Sequence, residues 1–436
     1  MLLRLPPLSP RRTAAPRSGP PPERRPGVVL LGIALGYFMV LLDTTVLSVA
    51  EPDLARSLGS STAGLQWAVT GYTVTFGALL LSAGAAADRY GAHRLFRGGV
   101  AVFGAASLVS ACAPDLWTLV VLRAVLGAAA AACVPSSMAL ITRLYPDPAR
   151  RARAVAVWAA VSGAALATGP LGGGLLVSLA GWRAVFLVNV PLAVLVLLVV
   201  GGPAVACPAG DRRIDWPPQL AACAALALCT DALIALGARA WQHAATSAGA
   251  TVAAAAAFAL LERRSGAPVL ARPVLRAPGM GRMLAAGAAV GLALTGILFA
   301  LPLLLQQRYG YGAVATGAAF LPMTVPTAVN PVLLTGRIVA RHGPRGPILA
   351  GLLLLAAGGG VISAALWRTA PYPVLGAGLL AAGFGVSLAL PSLTTAVITL
   401  APPGTAGSAG GLLNATRQVG ATLGVAALGT FIHLHP

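Results

Sequence analysis

The sequence contains no lysine. A Gly-rich phosphate loop of the nucleotide-hydrolysing kind requires one, so ATP drive is excluded for this chain. Charge is scarce, at 9% of residues, and acids are scarcer still, 11 against 30 arginines. Five scattered cysteines, Cys112, Cys133, Cys207, Cys223 and Cys229, lack metal-ligand spacing and read as small packing residues. No Cys/His cluster or nucleophile constellation is legible, and His93, His243, His342, His433 and His435 fall in predicted loops or at the end. An enzyme, a metal site and a bound cofactor are therefore not expected.

What is present is apolar surface. Of the 436 residues, 57% are hydrophobic and the mean hydropathy is +0.83, which points to a bilayer as solvent. A net charge of +19 would suit nucleic acid, but the arginines gather in short turns between apolar stretches, and topology explains them better.

Residues 1–26 are rich in Pro and Arg without apolar periodicity and predict a disordered basic tail. The apolar run that follows, 27–50, is too long for a signal peptide and is read as a first membrane span. Further stretches long enough to cross about 30 Å of hydrocarbon are 66–87, 95–113, 116–142, 154–181 and 184–206, then two Ala-rich ones at 217–238 and 244–261. The series ends with 283–305, 312–335, 347–366, 371–400 and 406–432, thirteen legible spans in all. With the tail placed inside, loops of inside parity hold 23 arginines and those of outside parity 5, which predicts a cytoplasmic N-terminus.

Two pairs of segments repeat. Gly84, Arg89 and Gly91 in GAAADRYG are answered at identical spacing by Gly336, Arg341 and Gly343 in GRIVARHG, an offset of 252. Pro135 and Ser136 return as Pro391 and Ser392, an offset of 256. Such displacements hold six spans plus the two Ala-rich ones, so the latter are an insertion between duplicated halves. The expected organisation is a tail (1–26), an N-terminal six-helix bundle (27–206), two linking helices (217–261) and a C-terminal bundle (283–432). By this logic the second half needs six spans and shows five; either the chain stops short after Pro436 or a fourteenth helix has been lost.

Several motifs occur in order: LDTTVLSVA in span one, GAAADRYGAHR after span two, LRAVLGAAAA in span four, ALATGPLGGG in span five and WRAVFLVNVP into span six. Together they resemble the fourteen-span drug:proton antiporters of the major facilitator superfamily, over about residues 28–432. The resemblance implies an all-α membrane protein of two pseudo-symmetric helical halves.

Individual residues sharpen this picture. Asp43 and Arg123 each lie about 10 Å from the outer end of antiparallel spans, hence at matching depth. Unpaired, each would cost about 2.5 to 3.5 kcal/mol or more, so they are expected to pair or to face a wet cavity. The pair is either purely structural or a site where Asp43 changes protonation with Arg123 tuning it; the resemblance implies substrate and proton coupling. Glu51 is either a second proton site or, as favoured here, an exposed loop acid beside Asp53. Asp231, in the first inserted span, is expected to face a helix partner.

In the turn after span two, Gly84 and Gly91 permit close approach and a sharp turn, while Asp88, Arg89 and Arg94 can pair or cap a helix end. The bland reading is a topogenic loop; the resemblance implies a latch on the cytoplasmic gate, with Ala92 and His93 standing where basic residues are usual. Gly163, Gly169, Pro170, Gly172, Gly173 and Gly174 allow a bend and close packing against the other half. The resemblance makes this an antiporter motif and implies export. Arg417 either lines a cavity with Asn414 and Gln418 or pairs structurally, and Gln66, Thr70, Tyr72, Asn189, Gln306 and Asn330 complete a pool of cavity candidates.

The expectation is thus a monomeric exporter in the cytoplasmic membrane, trading protons for a hydrophobic, cationic or amphipathic small molecule, without cofactor or nucleic acid. Two rivals stand beside it: an exporter of an endogenous metabolite such as a siderophore, amino acid or lipid precursor, and a receptor or assembly protein that kept the fold and lost transport.

Overall fold

The computed structural model describes residues 26–200, 207, 215–266, 272–368, 370–402 and 405–434; of the expected tail, 1–26, residues 1–25 lie outside them and Pro26 opens the first helix. Helix is the state that closes every backbone hydrogen bond within its own segment, as hydrocarbon demands. The first half comprises α1 (Pro26–Leu58), α2 (Thr62–Tyr90), α3 (Ala92–Ala111), α4 (Leu116–Leu144), α5 (Pro148–Ala180), and a sixth segment broken into α6 (Ala184–Leu187) and α7 (Asn189–Val199). Two inserted helices follow, α8 (Trp216–Gly237) and α9 (Trp241–Arg264), then a short α10 (Arg272–Leu275).

The second half comprises α11 (Met280–Gln307), a segment split into α12 (Ala313–Ala319), α13 (Leu321–Asn330), a π-helical turn at Pro331–Thr335 and α14 (Gly336–His342), then α15 (Arg345–Trp367), α16 (Tyr372–Leu400) and α17 (Ala406–Leu434). Eight of these helices are each long and apolar enough to cross a membrane, and a ninth is counted if the two parts of α2, bent by 59°, form one span.

Helix starts follow local chemistry. The Ser61 hydroxyl accepts from Gly64 N to open α2; the Asp115 and Asp147 carboxylates do the same for α4 and α5, accepting from Thr118 N and Arg150 N. The repeated turn is real in three dimensions. Gly91 and Gly343, which end α2 and α14, adopt φ of +89° and +76°, a region L side chains rarely enter.

The duplication extends to packing. Helix α1 lies on α5 as α11 lies on α17, α3 on α4 as α15 on α16, and α2 on α4 as α13 on α16. Each half has its own apolar core. The correspondence fails at one place: α7 packs between α1 and α3, while the equivalent position between α11 and α15 holds a cavity of about 620 Å³. The walls of this cavity include Ile297, Leu301, Leu355, Ile362 and Trp367, so the space is apolar, and Asp43 takes no part in it.

Candidate functional site

Helices α1 and α4 bring Asp43 and Arg123 together inside the first half, 2% and 1% exposed. Arg123 Nη1 donates to Asp43 Oδ2. The other carboxylate oxygen accepts from Asn189 Nδ2 at 3.1 Å, and Asn189 also lies 3.4 Å from the Ser107 hydroxyl. Arg123 Nε donates to Ala68 O at 3.0 Å, and its guanidinium carbon sits 4.5 Å from the centre of the Tyr72 ring. Tyr72 in turn donates to Val40 O at 3.3 Å. Close approach of α2 and α4 makes this stacking possible: a Cβ on Gly127 would collide with Tyr72 O. Both carboxylate oxygens have donors and the cation has three kinds of partner, which is what a buried ion pair requires.

Glu51 departs from the expectation of an exposed loop acid. It is 3% exposed within α1, because the helix runs through Pro52 to Leu58, beyond the apolar stretch that ends at residue 50. Its Oε2 is buried without a hydrogen-bond partner among the described residues, and it lies within electrostatic range of Arg123. Asp53 instead ties α1 to the next corner, accepting from Trp182 N at 2.9 Å and pairing with Arg56 at 3.3 Å.

Asp231 faces α9: its Oδ2 accepts from the Ser247 hydroxyl at 2.5 Å and lies 2.6 Å from His243 Nε2. His243, expected in a loop, belongs to the first turn of α9.

At the turn after α2, Asp88, Arg89 and Arg94 are exposed, and the Arg89 guanidinium lies 5.4 Å from the Tyr90 ring centre. Gly84 has open space where a Cβ would stand, so the close approach expected there is absent in this conformation. Gly91 is crowded instead by the chain beyond α7, with Cys207 O 2.9 Å from its would-be Cβ. Cys207 N donates to His93 Nδ1 at 3.0 Å, which requires that nitrogen to be unprotonated. Burial, then the charges of Arg94 and Arg97, hold the His93 pKa below its usual value.

The glycines of α5 divide their work. Gly169 and Gly173 seat α1 of the same half, where a Cβ would collide with Thr45 and with Val46 O. Contact with the other half falls to Gly174, whose would-be Cβ meets Ala313 O, and to Pro170, whose carbonyl would collide with a Cβ on Gly317. Gly163 and Gly172 have nothing within 4 Å.

Other contacts between the halves run from the end away from residue 26 to mid-depth, where a Cβ on Gly77 of α2 would stand 2.8 Å from Gln418 Cβ of α17. Gln66 Nε2 donates to Val425 O and Ala426 O at 3.2 and 2.9 Å, Gln306 Nε2 to Val49 O at 3.0 Å, and the Thr73 and Thr422 hydroxyls meet at 2.8 Å. Nearer residue 26, would-be Cβ atoms on Gly84, Gly407 and Gly410 meet nothing within 4 Å. The described contacts between the halves thus lie between mid-depth and the far end, and these three glycines nearer residue 26 take no part in them. Of the cavity candidates, Gln66 and Gln306 belong to these contacts, Tyr72 and Asn189 to the Asp43 cluster, and Thr70 donates to Gln66 O within α2. Asn330 donates to the Ser387 hydroxyl inside the second half.

Asn414 and Arg417 remain at the junction of the halves. Arg417 Nη1 donates to Asn414 Oδ1 at 2.9 Å, while its Nε is buried without a partner among the described residues. The guanidinium is within electrostatic range of the Tyr37 phenol. Tyr37 stacks on Trp158, ring centres 4.7 Å apart and planes 10° from parallel, and Trp158 Nε1 is also buried without a partner. Sequence reasoning missed Tyr37 and Trp158. The signal was there: both lie about three turns from the N-terminal starts of their helices, as Arg417 does from that of α17.

The family described as Major Facilitator Superfamily matches residues 33–425. The chain is 35% identical over 409 residues to the multidrug resistance protein Stp of Mycobacterium tuberculosis (strain CDC 1551 / Oshkosh), covering 93% of this chain and 75% of that protein. It is 34% identical over 409 residues to the methylenomycin A resistance protein of Streptomyces coelicolor, covering 93% and 86%. To the puromycin resistance protein pur8 of Streptomyces alboniger it is 36% identical over 440 residues, covering 94% and 82%. Among solved structures, the fold is shared with a bacterial homolog of the human lysosomal transporter Spinster in an inward-facing, unoccupied conformation. The TM-score is 0.65 at 18% identity, covering 92% of this chain and 81% of that one.

Proposed function

Because the chain belongs to the Major Facilitator Superfamily, we propose that it is a proton-coupled exporter of hydrophobic and amphipathic small molecules of the drug or antibiotic type. The relatives named for resistance to methylenomycin A, puromycin and multiple drugs support the substrate class. The observation that carries the coupling is Asp43: a carboxylate buried within a span, held by one cation and one amide.

In this reading the proton cancels the charge of Asp43, releasing the hold of Arg123 on α1 and shifting the balance between two arrangements of the halves. The contacts between mid-depth and the far end represent one of them. The arginine bias supports a cytoplasmic N-terminal end in a cell-membrane protein, and in this reading that side loads cargo. An inward proton supplies about 2.3 kcal/mol per charge per 100 mV, enough to drive a substrate outward against a gradient.

The test is accumulation of puromycin and of methylenomycin A in cells with and without the full chain. Lower accumulation with the chain, abolished by a protonophore, is expected; equal accumulation of both compounds would overturn the export reading.

A further inference from the structure

Arg417 is a cation at mid-depth whose partners are incomplete. Its neighbour across the junction is a phenol rather than a carboxylate, and among the described residues no acid forms an ion pair with it. Buried arginine at such depth is costly unless an acceptor of negative charge is supplied. The stem of the side chain lies at van der Waals distance from Gly287 of α11, 3.6 Å from its would-be Cβ, and a Cβ on Gly291 of the same helix would collide with Arg417 O, so α17 packs closely on α11 at this level.

On the opposite wall, α1 and α5 present a flat pair of rings, Tyr37 on Trp158, whose indole N–H also lacks an acceptor. All three helices start at the same end of the bundle. The three side chains lie about three turns, roughly 16 Å, from it. Tyr37, Trp158, Asn414 and Arg417 are each only partly buried, at the junction of the halves. Two unsatisfied donors thus flank a stacked aromatic surface. An anionic oxygen would satisfy a donor of this kind, and a planar ring system carrying it would stack on the outer face of the Tyr37–Trp158 pair.

We propose that Arg417, Trp158 and Tyr37 form a substrate subsite for an acidic oxygen, carboxylate or phenolate, borne on a flat conjugated ring. This rests on the export reading and extends its substrate class to acidic aromatic cargo. Asn414 is a positioning residue, holding the guanidinium through Nη1 while Nε, buried in this arrangement of the halves, has no partner among the described residues.

The test uses the purified full chain in lipid nanodiscs and two probes of one shape, 2-naphthoate and the uncharged 2-naphthamide, titrated calorimetrically. Wild type is expected to bind naphthoate at least tenfold more tightly than naphthamide. Arg417→Gln should erase that preference and Arg417→Lys retain part of it, since lysine keeps the charge without the fork. Trp158→Phe should weaken naphthoate several-fold, keeping the ring and deleting the donor. A monodisperse, cooperatively melting Arg417→Lys protein guards against misfolding of the glutamine variant. Equal affinity for the two probes, no binding of naphthoate, or a preference that survives in Arg417→Gln would each overturn the proposal. None of these outcomes bears on proton-linked efflux in cells, which tests the export reading separately.

Discussion

Asn189 donates to the one oxygen of Asp43 that Arg123 leaves open, at 3.1 Å, and so joins the broken sixth segment of the first half to its buried ion pair. A hydrogen bond to a charged group contributes about 1.5 to 3 kcal/mol. Asn189→Leu should lower stability by about that amount. It should also weaken coupling, because Asp43 then holds its charge with one partner fewer. The melting temperature in detergent and the proton flux per substrate exported check the two effects; a variant unchanged in both contradicts the assignment.

Arg123 and Asp43 should not be equivalent on removal. Arg123→Ala strips the carboxylate of its cation and opens the space under Tyr72, and breaking a buried pair in this way costs about 3 to 5 kcal/mol. Asp43→Asn leaves Arg123 its bond to Ala68 O and its stacking on Tyr72, so its cost should be smaller. The double variant Asp43→Asn with Arg123→Ala should recover part of the loss. Chemical unfolding of the four proteins gives the coupling energy, and strictly additive losses would argue against a tight pair.

Gly174 and Gly317 control closure of the far end. A Cβ on either would collide with backbone of the opposing half, and backbone cannot turn aside as a flexible side chain can. Alanine at either should hold the halves apart. Oxidative crosslinking of a Val49→Cys and Gln306→Cys pair, placed where Gln306 donates to Val49 O, should fall several-fold in Gly174→Ala or Gly317→Ala. Undiminished crosslinking would place the closure elsewhere.

His93 makes the turn after α2 sensitive to acid. Its pKa is lowered in the folded protein, so its contribution to stability is complete above the unfolded value of about 6.5 and is lost as pH falls through the lowered folded value. Protonation of Nδ1 also ends its acceptance from Cys207 N. Hydrogen exchange at the Cys207 amide should therefore accelerate as pH falls through that lowered value, after correction for intrinsic rates, and His93→Phe should remove the pH dependence. Exchange in wild type that follows intrinsic rates alone would contradict this.

Much of the fold was legible because hydropathy and turn chemistry are local. Within the described residues the predicted apolar stretches fall on helical segments, of which eight, or nine with the bent α2, are long and apolar enough to cross a membrane against the thirteen expected, and the repeated Gly-ended turn recurs as two positive-φ glycines. The Asp43–Arg123 pairing was legible too, since two charges at one depth in antiparallel spans must find each other or water. Glu51 was misjudged because helix outlasts hydrophobicity at the end of α1, and a Pro there reads as a stop when it is only a step in the helix. Asn189, Tyr37 and Trp158 depend on how neighbouring helices are rotated about their axes, which no single segment encodes. The same holds for Gly169 and Gly173, whose partner proved to be α1 rather than the other half.

The central claim is that export is driven by protons through Asp43, and it is tested most directly in proteoliposomes holding the full chain with an imposed pH gradient. Puromycin transport, followed together with a pH-sensitive dye, should run with proton movement the other way in wild type. Asp43→Asn should insert and fold yet show no substrate-linked proton movement. Unchanged proton-driven transport by Asp43→Asn would contradict the account.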